Sequence, residues 1–176
     1  MIDRHLISLA IALQHIDDEV PKLQTWGRTA ASRLVAGGRL LACGAGTGAQ
    51  QARHLVTELA GPEDGRPPLA VATLPARSDA HGYAQAGDIV LCLSATGTDA
   101  GVAAAAAAAA ELGVTTWALT GPAPNAVAAA CAQAVCVGTA VTTTVEEVHL
   151  AAIHIFCAAL NSAVRDAVRA GVSAGR

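Results

Sequence analysis

Aromatic side chains are nearly missing from this chain: two tryptophans, one tyrosine and one phenylalanine serve 176 residues. Large rings cannot fill its core, which must be built from alanine, valine and leucine, small side chains that let helices and sheet approach closely. An excess of positive charge is missing too. With 11 Lys and Arg against 14 Asp and Glu, a formal charge of −3 and a pI near 6.0, the chain has no basic footprint, and direct nucleic-acid binding is not expected. The five cysteines (Cys43, Cys92, Cys131, Cys136, Cys157) are odd in number, lack CxxC spacing and sit mostly in apolar runs, where a reduced thiol packs as a small hydrophobe. A reducing cytoplasm is the compartment this fits.

Further absences narrow the field. In "GAGTGA" the third glycine comes too early for a dinucleotide fingerprint, and no Walker lysine follows. No repeat of 20 to 50 residues occurs, and "GPEDGRPP" is too short for a linker, so residues 1–176 are expected to form a single domain. "LISLAIAL" lacks the flanks of a signal peptide, and the alanine run Ala103–Ala110 is broken by Glu111 too soon to span a bilayer, so no membrane association is expected.

What is present is 53% hydrophobic residues in two alternating patterns. Apolar side chains at Ile2, Leu6, Leu9, Leu13, Ile16, Val20 and Leu23 recur every three or four residues, which predicts an amphipathic N-terminal helical segment over about 1–35, broken near Pro21. Short apolar runs then alternate with helical spacing. The strand candidates are "LLACG", "LAVATL" (Leu69–Leu74), the run after Asp88, "VTTWALT" and "AVCVG". The helix candidates are "ARHLVTELA", the alanine run, "NAVAAACAQ" and a long pattern from about Thr144 to Ala170. Strands alternating with helices predict an α/β three-layer sandwich around a five-stranded parallel sheet. Ligands of such sheets lie outside the carboxyl ends of the strands, where strand order reverses, so functional residues should directly follow strands.

Two turns stand there. "GAGTG" (with Gly46, Thr47 and Gly48) and "SATGT" (with Ser94, Thr96 and Thr98) can present backbone N–H groups and hydroxyls to an anion such as a sugar phosphate, although a tight βα turn needs glycine in any case. His54 and Glu58, at i and i+4, share a face of the helix that the first turn opens, where they could bind a metal, move a proton or form a solvated pair. In the last helix, Glu147 and His154 share a stripe with Glu146 about 80° to one side of it, whereas His149 aligns with Ile153, Phe156 and Leu160 as a packing histidine.

The stretches "QQARHLVTEL", "GDIVLCLSATG", "LTG" and "EEVHLAAIHIF" resemble the sugar isomerase (SIS) domain, specifically its sedoheptulose-7-phosphate (phosphoheptose) isomerase group, over nearly the whole chain. The resemblance implies a flavodoxin-like SIS fold and a metal-dependent aldose–ketose isomerase of heptose phosphates working through an enediol. It further implies zinc, or another divalent first-row metal, on His54, Glu58, Glu146 and His154, with Glu58 and His154 as the proton-shuttling pair, and a cytoplasmic homotetramer. Glu146 stands where the family has glutamine. The phosphate loops depart further: Ala45 and Gly48 replace asparagine and serine, and "SATGTD" puts Ala95 and Asp99 where the family has threonine and serine. The connection between the second and third predicted strands, "PARSDAHGYAQAG", is shorter than in the family. Two rival readings are a non-catalytic SIS adaptor, like relatives that bind the bacterial replication initiator, and a sugar-phosphate sensor. Retention of His54, Glu58 and His154 argues against the adaptor.

Overall fold

A computed structural model describes residues 2–63, 65–76 and 82–174; residues 77–81, in the connection between the second and third strands, lie outside the described residues. The elements run α1 (Ile2–Asp17), α2 (Val20–Val35), β1 (Leu40–Gly44), α3 (Thr47–Ala60), β2 (Val71–Pro75), β3 (Ile89–Ser94), α4 (Ala100–Glu111), β4 (Thr115–Thr120), α5 (Ala126–Ala130), β5 (Gln133–Cys136) and α6 (Thr142–Ala174). All five strands pair in parallel in the order β2-β1-β3-β4-β5. Order reverses between β1 and β3, so the loops after these two strands flank the crevice that parallel sheets offer to ligands.

Both faces of the sheet are covered, which is why its central strands read as unbroken apolar runs. On one face α2, α3 and α6 pack over Leu40, Ala42, Leu91, Leu93, Trp117 and Leu119, with α1 laid against α6; on the other α4 and α5 pack over Leu41, Cys43, Val90, Cys92 and Ala118. Three of the four aromatic residues meet in the first layer. Trp26 stacks on Trp117 with centroids 4.9 Å apart, and Phe156 meets Trp117 edge-on at 6.3 Å. Around this anchor small residues set the spacing. A Cβ on Gly27 would lie 2.7 Å from the Ala159 side chain and 2.8 Å from the Phe156 carbonyl oxygen, so α2 and α6 are pressed together where α2 has no side chain. Part of α6, Thr142–Ala170, is long and apolar enough to cross a membrane, but half of its most apolar stretch is buried inside the fold against the other helices.

Three boundaries differ from expectation, each for a local reason. The first helical segment is interrupted at Asp18–Glu19, and Pro21 lies in the first turn of α2, where a missing N–H costs nothing. Strand β2 runs to Pro75, which an edge strand tolerates. Helix α5 has only five residues, because Cys131 turns extended and the Ala132 N–H is taken by the Thr116 carbonyl, already feeding β5.

Candidate active site between two helices

Helix α3 leaves the carboxyl end of β1 through Gly46 and begins against the neighbouring strand. A Cβ on Gly48 would lie 2.2 Å from the Leu93 carbonyl oxygen of β3, so no serine fits at this position, and the glycine keeps helix and sheet in contact. Gly46 and Thr47 are exposed at the turn. One turn further along, α3 faces α6. His54 Nε2 and His154 Nε2 stand 3.1 Å apart with the rings edge to face, and ligand atoms of His54, Glu58 and His154 all lie within 4.8 Å of one another. Two imidazole nitrogens on a tetrahedral zinc ion would be separated by roughly 3.3 Å, so this two-nitrogen, one-carboxylate set fits a divalent first-row ion and matches the three-ligand pattern of catalytic zinc sites. His54 is half-buried and the other two are exposed.

Glu146 is not among the converging groups. Eight residues of α6 separate it from His154, a rise of about 12 Å along one helix. Its neighbour Glu147 does not face the centre as a ligand either, but pairs with His5 of α1 at 3.0 Å.

A buried polar bridge holds α3 and α6 in this relation. The Gln51 amide nitrogen donates to the Glu146 carbonyl oxygen at 2.9 Å, leaving its own oxygen to accept from His149 Nδ1 at 3.1 Å. That orientation places the single imidazole proton on Nδ1. His149 is 1% exposed, and burial pulls its pKa down to about 4. A second device secures the carboxyl end of α3. The buried Arg66 guanidinium donates to the carbonyls of Leu59 (3.0 Å), Gly61 and Pro67 (both 2.8 Å), so a cation satisfies the helix terminus just past Glu58.

The second loop is closed on itself. Gly97 N–H donates to the buried Ser94 hydroxyl at 3.1 Å, the exposed Thr96 and Thr98 hydroxyls pair at 2.9 Å, and the Asp99 carboxylate caps α4 by accepting from Val102 N–H at a long 3.4 Å. A separate cavity of about 420 Å³ opens between β1, β2 and the flank of α3, lined by Gly44, Ala45, Ala49, Arg53 and Pro75 among others, and none of the three converging groups lines it.

No family model matches the chain. Curated relatives do. The chain is 37% identical over 192 aligned positions to the phosphoheptose isomerase of Streptomyces coelicolor, covering 97% of this chain and 82% of that one. It is 30% identical to the probable phosphoheptose isomerase of Thermoplasma volcanium, covering 77% and 79%. The chain belongs to the phosphoheptose isomerase family. Among solved structures, a phosphoheptose isomerase from Francisella tularensis superposes with a TM-score of 0.83 at 21% identity, covering 92% of this chain and 96% of that one, which establishes the shared fold.

The sequence places His149 in the packing but gives it no partner; the signal for Gln51 is a glutamine on the inward stripe of α3 with Gly48, Ala52 and Leu55. Arg66 carried no signal, since only the folded loop returns it to the helix end.

The buried imidazole has a measurable signature. Neutral in the fold down to about pH 4 but protonating near 6.5 when unfolded, His149 makes the unfolded state bind more protons across that window, so its contribution to stability falls as pH drops. Denaturant unfolding should find the parent less stable at pH 5 than at pH 7 by about 2 kcal/mol more than the His149→Gln variant. Equal pH dependence in the two proteins would contradict a neutral buried histidine.

Proposed function

We propose that this protein is a metal-dependent isomerase of a heptose phosphate, interconverting sedoheptulose 7-phosphate and the corresponding aldose phosphate through an enediol. The observation that carries this reading is the convergence of His54, Glu58 and His154 within 4.8 Å in a member of this family. The proton next to a carbonyl is weakly acidic, so its removal needs a positioned base and a means of stabilising the enediolate. Glu58 acts as the base and His154 as the acid that returns the proton to the neighbouring carbon. Zinc or another divalent first-row ion, held by His54, Glu58 and His154, would supply Lewis-acid polarisation of the substrate oxygens. Glu146, remote along α6, would act as a ligand or a substrate contact only across a subunit boundary. Turnover of sedoheptulose 7-phosphate with added zinc should fall ~10²–10⁴-fold in Glu58→Gln and in His154→Ala. Metal analysis should find about one divalent ion per subunit in the parent and less in His54→Ala. Near-parental activity in both of the first two variants would remove the isomerase reading.

Gly46, Thr47 and Gly48 line the crevice through backbone groups, and the phosphate rests on Ser94, Thr96, Thr98 and the backbone N–H groups of their loop, with Asp99 as an opposing charge. Serine caps a helix as well as aspartate does, so Asp99→Ser should leave the fold intact. It should tighten phosphosugar binding roughly tenfold, about 1.4 kcal/mol. A sharp fall in affinity, with an unphosphorylated sugar as the better substrate of the parent, would instead assign Asp99 to a neutral hydroxyl.

We further infer a cytoplasmic homotetramer. Helix α1 exposes Leu6, Ile7 and Ile11 at 50% or more, an apolar stripe that a second copy would cover. Light scattering should give a mass near four times 17.5 kDa, reduced by charged substitutions at Ile7 and Ile11; a monomeric parent would rule this out.

A further inference from the structure

Two polar ties join α3 to α6, and the three converging groups lie between them. On one side is the Gln51 bridge to Glu146 and His149. On the other, Asn161 of α6 donates from Nδ2 to the Glu63 carboxylate at 2.8 Å. Along α6 the order is His149, His154, Asn161, and along α3 and the loop after it the order is Gln51, His54, Glu58, Glu63, so each pair of facing residues marks one level of the same crossing. Asn161 stands seven residues past His154, two helical turns with an angular offset of about 20° and a rise of roughly 10 Å, so both side chains leave α6 on one stripe.

The loop end of this second tie is itself anchored to α3. Glu63 N–H donates to the Arg66 carbonyl at 3.3 Å, and the Glu63 carbonyl accepts from Arg66 N–H at 2.7 Å. The Glu63 carboxylate oxygen that accepts from Asn161 also lies 3.7 Å from the Arg66 guanidinium. That guanidinium, 2% exposed, holds the Leu59 and Gly61 carbonyls, which close the last turn of α3, the turn that carries Glu58. Asn161 is 7% exposed among buried Cys157, Leu160 and Val164, where an apolar side chain would pack without leaving a polar group to satisfy. Its Oδ1 has no hydrogen-bond partner among the described residues, so the bond to Glu63 is what the amide contributes.

We propose that Asn161, acting through Glu63 and Arg66, is a positioning residue for the candidate metal centre, fixing how far α3 and α6 open on the side that Gln51 does not hold. The inference rests on the metal-centre reading of His54, Glu58 and His154. A tie at one level sets where two helices cross and leaves them free to splay beyond it; a second tie past the centre removes that freedom. Ligand atoms have to be held within about 0.5 Å to fit an ion well, and Glu58 and His154 stand on the stretch that splaying would move. Asn161 itself touches neither ion nor substrate.

The test uses Co²⁺ as the probe, titrated into the intact metal-free protein, with binding affinity and the visible absorption spectrum, which reports coordination geometry, as readouts beside thermal unfolding. Asn161→Leu removes the amide at similar volume and should weaken cobalt binding ~10-fold or more and change the spectrum. Asn161→Asp, which sets two carboxylates against each other, should do the same. Glu63→Gln keeps an acceptor oxygen and should retain parental affinity and spectrum. Should Asn161→Leu not fold, Glu63→Ala breaks the same bond from the exposed side and decides in its place, with the same loss expected. An Asn161→Leu protein that loses thermal stability but binds cobalt with parental affinity and spectrum would show a packing role alone and overturn the proposal. A parent protein that binds no cobalt would remove the metal-centre reading, and the inference with it.

Discussion

The glutamine that joins α3 to α6 is the interaction on which the candidate site depends. Its amide spends its donor on the Glu146 carbonyl and its acceptor on His149, so one side chain fixes both the rotation of α3 and the register of α6. His54 lies one turn beyond Gln51 on one helix, and His154 lies between one and two turns beyond His149 on the other. Two helices fixed at that crossing bring the imidazole nitrogens to 3.1 Å without any loop having to close. Leaving either end of a buried bridge unpaired costs on the order of 1–3 kcal/mol, enough to make the crossing well defined in a domain of ordinary stability.

Around this bridge the fold relies on close approach rather than bulk. Gly27 lets α2 rest on α6, Gly48 lets α3 rest on the end of β3, and alanines on α4 cover the opposite face. The four-aromatic composition is thereby accommodated: rings appear where α2, β4 and α6 meet, and elsewhere backbones substitute for side-chain volume. The buried Arg66 extends the same economy to a helix end, taking up carbonyls that would otherwise lack partners.

Much of this was legible in the residues, and the limits have physical causes. Five strands and their parallel arrangement follow from periodicity, which depends on neighbours within a turn or two, whereas the grouping of His54 and Glu58 with His154 came from the resemblance that the quoted motifs carry. The short α5 was not legible, since its length is set by the pairing of β5 with β4 and not by the helix propensity of "NAVAAACAQ". Glu146 illustrates the same limit. Its angular position beside His154 can be read from a helical wheel, whereas the distance along the axis excludes it from the converging group. Gly48, counted in the sequence as a lost donor, is in the structure a steric requirement of Leu93.

The carboxylate at the start of α4 has a consequence for ligand discrimination. Asp99 is tethered three residues from the Val102 N–H it caps, so it competes for that donor at an effective concentration set by its linkage, on the order of millimolar for short flexible connections. A free anion has to displace this internal ligand, and inorganic phosphate, with no sugar to anchor it elsewhere, does so at a disadvantage. In the proposed function, a substrate held at its other end by α3 and α6 would meet the same competitor with both ends already confined. Under the proposed function this cap would favour a charged group carried by a larger molecule over a small free anion.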